Sequence, residues 1–136
     1  MAAGGPPERR QGGGDEGDVF FAKAADRPRD TVGQGIARQL MAWGDDIMAA
    51  RVWFDAGAVG GLHAHPHAQV SYVESGRFEV TVGRWRRVLS AGDSFYVPPD
   101  VSHGAVCLAA GVLIDVFAPH REDFLAQDCL KQGARS

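Results

Sequence analysis

Three of the five histidines, His63, His65 and His67, stand within five residues in "GLHAHPHAQVSY", and Gln69 follows them. Side chains alternate faces along a regular strand, so His63, His65 and Gln69 share a parity that turns them to one side. Imidazole nitrogens at about 2.0–2.1 Å from an ion must approach it from one face, which an H-x-H pair allows. A fourth ligand has to come from another segment, and His103, just after "VPPD", is the best placed. His67 has the same parity, but it would overcrowd the ion, and Pro66 removes a ladder donor and bends the chain there. His67 is therefore expected on the wall of the site. The expected cofactor is one divalent metal ion; nickel, zinc, iron and cobalt all suit three nitrogens and an amide oxygen. A solvent-exposed histidine loop with weak incidental metal affinity is the competing reading.

Short apolar stretches punctuated by Gly, Pro and Asp must position these residues, and that spacing predicts an all-β fold. "IARQLMAW" and "IMAARVWF" flank "GDD" as a hairpin, with Met48, Ala50, Val52 and Phe54 facing inward. "VSYVESGRFEVTVG" reads as a second hairpin turning at Glu74, Ser75 and Gly76, with Phe78, Val80 and Val82 inward. "RRVLSAGDSFYVPPD" adds two short strands around Ala91–Asp93, and "HGAVCLAAGVLIDVF" a final pair around Ala109–Gly111. "REDFLAQDCLKQG" has the composition of a short terminal helix ending near Gly133. Residues 1–17, rich in Gly, Pro and charge, are expected to be a disordered tail, with the barrel over 18–127 and a C-terminal tail over 128–136.

A chain of 136 residues closes one hydrophobic core, and 45% hydrophobic with 23% charged residues is an ordinary globular balance. No apolar run is long enough to cross a bilayer, so no membrane is expected as a partner. A net charge of −3 without a basic stripe argues against nucleic acid, and "RWRR" at Arg84–Arg87 reads as the solvated face of a strand. The N-terminus lacks the apolar centre of an export signal, which makes the cytoplasm the expected compartment and leaves Cys107 and Cys129 as free thiols. Cys107 is expected to be a packing residue.

Gly57, His63, His65, Gln69 and Gly76 together resemble the first signature of the cupin superfamily, with Gln69 where many members carry Glu. "GDSFYVPPDVSH" resembles the second, through Gly92, Pro98 and His103, with Asp100 where Gly is usual and Cys107 where Asn is frequent. The resemblance implies a single antiparallel jelly-roll barrel with His63, His65, Gln69 and His103 as metal ligands. "GVLIDVFAPHREDFL" extends it, from Gly35 to Leu125, to the KdgF family of pectin degradation proteins; Ala68 departs from that family's usual Glu. That family converts 4,5-unsaturated uronate monomers from pectin and alginate breakdown into linear ketonised sugars, and the resemblance implies a homodimer. It also implies active-site roles for Asp115, Phe117 and Arg121, with Asp115 and Arg121 catalytic and Phe117 and Arg121 on the substrate. Tyr72 is the other aromatic expected to turn its hydroxyl toward the ligand. Four neutral ligands leave an ion's charge uncompensated, which favours an anionic sugar substrate that Arg121 can hold through its planar fork. The rival functions are a metal-dependent cupin dioxygenase and a non-catalytic sugar- or metabolite-binding cupin.

Overall fold

Met48, Ala50, Val52 and Phe54 occupy every second position, and all four are buried in the computed structural model of the protein, which describes residues 16–126. The expected tail over 1–17 lies outside the described residues save for Glu16 and Gly17, which begin a 3-10 turn; the tail over 128–136, with Cys129 and Gly133, lies wholly outside them. The strands are β1 (Asp30–Gly33), β2 (Ile36–Gly44), β3 (Ile47–Phe54), β4 (Val59–His63), β5 (Ala68–Val82), β6 (Trp85–Ser90), β7 (Ser94–Val97) and β8 (His103–Ala118). All pair antiparallel, and residues 122–126 are helical.

Two long strands correct the sequence reading. The turn expected at Glu74–Gly76 is absent, because β5 runs unbroken through it, and β8 likewise runs through Ala109–Gly111. Each bends instead of reversing. The first half of β8 pairs with β4 and the second half of β5, while its second half pairs with β3 and the first half of β5. The two strands thus pass from one layer of the barrel to the other, and the register slips between Val73 and Phe78. Gly76 and Gly111 make the crossing sterically possible. A Cβ on Gly76 (φ 83°) would lie 2.5 Å from the carbonyl oxygen of Ala109 and 2.6 Å from Cα of Gly111, so glycine here marks a bulge and close approach, not a turn.

Val52, Phe54, Val73, Phe78, Val80, Cys107 and Leu113 form one buried cluster between the layers, and Leu40, Met48, Ala50 and Phe117 form a second. The basic run is exposed: Arg84 lies in the turn before β6, and Arg86 and Arg87 lie along that strand. Cys107 is buried against the carbonyls of Phe54 and Ala109, and burial raises its thiol pKa, as suits a packing residue.

Candidate metal centre

His63 ends β4 directly opposite His103, which begins β8, and their ring centroids are 4.3 Å apart. The pair can be this close because Gly104 follows His103: a Cβ there would stand 2.7 Å from the carbonyl oxygen of Gly60 in β4. His65 lies in the loop between β4 and β5, 4.8 Å from the His103 ring, and Gln69 is the second residue of β5. The shared strand parity expected of His63, His65 and Gln69 is therefore not what joins them. The chain leaves β4 at His63, turns through Pro66 and re-enters the sheet at Ala68, folding the three side chains toward one point. Asp100 ties the two motifs together: its backbone N–H donates to the carbonyl of His65 at 2.7 Å, from a left-handed conformation (φ 65°).

The donor nitrogens of His63, His65 and His103 lie within 4.8 Å of one another. Each ring engages a carbonyl two residues away through Nδ1: His63 with Gly61 at 2.9 Å, His65 with His67 at 3.1 Å and His103 with Val101 at 2.9 Å. A carbonyl can only accept, so in the neutral rings all three Nδ1 atoms carry the proton and leave a lone pair on each Nε2. Nε2 of His103 is buried without a hydrogen-bond partner. Gln69 completes the set. Its amide nitrogen donates to Ser71 Oγ at 2.8 Å, and Ser71 donates to Asp115 Oδ1 at 2.6 Å, so Gln69 Oε1 is turned to Nε2 of His65 at 3.0 Å. Two lone pairs facing each other at that distance repel unless a cation lies between them, and about 3.0 Å is the spacing of neighbouring ligands each 2.1 Å from one ion. The donor set fits a divalent metal. Burial lowers the pKa of His65 and His103, reinforced by the nearby positive charges, which keeps both rings neutral as ligands must be. His67 stands edge-on to His65 at 5.4 Å and offers that ring its carbonyl; its side chain does not line the cavity.

A cavity of about 210 Å³ opens beside this cluster, and Gln69, His103, Asp115, Phe117 and Arg121 all line it. Asp115 and Phe117 come from the second half of β8, so that one bent strand supplies a histidine from one layer and the carboxylate from the other. Burial pushes the Asp115 pKa up to about 6, against the opposing pull of the Ser71 hydrogen bond and the Arg121 charge. Arg121 is buried over the rings of Phe117 and Phe124, and Asp123 accepts its Nε and Nη2 protons at 2.9 and 2.8 Å. Tyr72 is the exception. Gln69, Ser71 and Val73 face inward, so Tyr72 has the opposite parity; it is 46% exposed on the outer face of β5 and does not line the cavity. Two polar residues of the site escaped the sequence reading: Ser71, which links Gln69 to Asp115, and Arg38, which lines the cavity; both sit at inward positions of their strands, where a polar side chain is itself a signal.

Comparison with known proteins places these features among relatives. The cupin domain family model matches residues 50–117. The pectin degradation protein KdgF of Dickeya dadantii is 43% identical over 100 residues, 72% of this chain and 91% of that protein. An RmlC-like cupin from Shewanella frigidimarina superposes with a TM-score of 0.74 at 50% identity, covering 76% of this chain and 94% of that one. The structure of KdgF from Halomonas sp. gives 0.72 at 42% identity, covering 77% and 96%.

Proposed function

The chain belongs to the cupin family and, within it, to the KdgF proteins of pectin degradation, and on that basis we propose that it is a metal-dependent enzyme that opens and ketonises 4,5-unsaturated uronate monomers. The observation that carries the reading is the convergence, in one cavity, of a neutral His/Gln donor set, a half-buried carboxyl group and a buried guanidinium. The reaction is an isomerisation. The bond from carbon one to the ring oxygen breaks, the hydroxyl on carbon one gives up its proton to become an aldehyde, and carbon four gains a proton as the enol becomes a ketone. No oxidant is needed, only a group that moves a proton and groups that hold the ring.

Asp115 is that proton-moving group: a carboxyl with a pKa near 6 exchanges protons with an enol more readily than an ordinary aspartate does. Ser71 fixes its orientation through one oxygen and leaves the other for the substrate. Arg121 binds the uronate carboxylate, held in place by Asp123, and Phe117 walls the site off from water. A divalent ion on His63, His65, Gln69 and His103 supplies Lewis acidity and a template for the sugar oxygens.

Incubation of the metal-loaded protein with lyase-generated unsaturated monouronate, without oxygen, tests the reading. Loss of the enol-acid ultraviolet absorbance is expected, and Asp115→Asn should slow it by about 10²–10⁴-fold, the usual contribution of general acid–base catalysis. Binding without turnover would make the protein a uronate-binding cupin instead, and a requirement for oxygen would make it a dioxygenase.

A further inference from the structure

Arg38 is the cavity residue without a role so far. It lies on β2 opposite Val52, which in turn pairs with Leu113 of β8, so a guanidinium stands in a row of inward-facing aliphatic side chains. Arginine seldom occupies such a row, and this one is half-buried with its charge acting on Asp115. Its Cζ stacks 3.6 Å from the centroid of Phe124, the same ring that Arg121 approaches at 4.2 Å, and both arginines line the cavity with Asp115. Measured through that ring, the two guanidinium carbons are within about 8 Å of each other, close enough for one sugar-sized anion to meet both.

We propose that Arg38 is a second anion-binding residue of the substrate cavity, which acts with Arg121 to select acidic sugars over neutral ones. The proposal rests on the uronate reading above and deepens it. Arg121 is positioned by Asp123, whose carboxylate offsets part of its charge. Arg38 brings a second guanidinium to the same cavity, and its planar fork can hold a carboxylate or a sugar oxygen with two parallel hydrogen bonds. Stacking on Phe124 restricts its rotamers, so little side-chain freedom remains to be lost on binding.

Calorimetric titration of the metal-loaded protein with a saturated hexuronate and with the corresponding neutral hexose tests this. The wild-type protein should prefer the uronate, and R38Q should lose at least tenfold in uronate affinity while hexose affinity changes less than twofold. R38K, which keeps the charge without the fork, should fall between them, and it decides the matter if R38Q does not fold. An unchanged preference for the uronate in R38Q, or equal losses for both sugars, overturns the role of Arg38 alone. Absence of any uronate preference in the wild-type protein overturns this role and the uronate reading together.

Discussion

Asp115 is where the chemistry of single residues is most exposed to test. Its carboxyl is linked through Ser71 to Gln69, so one hydrogen-bonded chain orients both the amide oxygen proposed as a ligand and the carboxyl proposed to move the proton. Its pKa rises from 3.8 to about 6 on folding, so the folded state holds the proton more tightly than the unfolded chain does. The resulting stabilisation is present below pH 3.8 and lost as pH rises through 6. At neutral pH the buried charge is a net burden, worth on the order of 2–3 kcal/mol for a shift of this size. Asp115→Asn should therefore stabilise the metal-free protein at pH 7 in urea denaturation, even as it removes activity; a destabilised variant would show that the carboxylate is better solvated than its position implies. The three histidines and the glutamine that the structure gathers stood out in the sequence by residue type rather than by strand parity, but the orientation of Tyr72 did not. A one-residue difference in parity reverses a side chain, and parity cannot be counted from a strand whose start is hidden by a proline-bent loop.

Among the elements, what sequence could and could not convey divides at β5 and β8. Alternation identified the inner face of β3 and the second half of β5 correctly, because period-two burial survives any connectivity. Gly76 and Gly111 were read as turns since a glycine between two apolar runs signals a reversal and a bulge equally well. Only the partner strand distinguishes the two, and that partner is distant in sequence. The distinction has a measurable consequence. A hairpin turn tolerates alanine at modest cost, whereas Gly76→Ala here drives a Cβ into the carbonyl of Ala109 as well as requiring a left-handed alanine, so a loss of more than about 3 kcal/mol is expected in denaturant titration. Asp100 provides the complementary case. Its left-handed backbone lets its N–H hold the His65 carbonyl, and Asp tolerates that conformation where a β-branched residue does not. Asp100→Val should cost about 1–2 kcal/mol and weaken metal binding, read by competition with a chelating dye.

For the molecule as a whole, the proposed metal site draws side chains from both layers of the barrel, so an ion bound there would link its occupancy to the stability of the fold. Each apolar cluster packs without reference to the ion, and removal of metal should leave a folded barrel. A ligand present at a thousandfold excess over its Kd stabilises by about 4 kcal/mol, so chelation should lower Tm by several degrees without abolishing cooperative unfolding. Acid acts on the same linkage. His65 and His103 have folded pKa values below 6.5, so they take up protons more readily in the unfolded chain; the stability they confer is complete above pH 6.5 and declines as pH falls below it. Asp115 works in the opposite sense between pH 6 and 3.8, gaining a proton in the folded state and offsetting part of that decline. Metal-free protein should therefore lose Tm gradually from pH 6.5 downward, and Asp115→Asn, deprived of the offset, should lose it more steeply. Bound metal competes with protons for the imidazoles and should move the whole decline to lower pH. Tm profiles that coincide with and without metal across pH 5–7 would mean that the ion, if it binds, does not bind at these histidines.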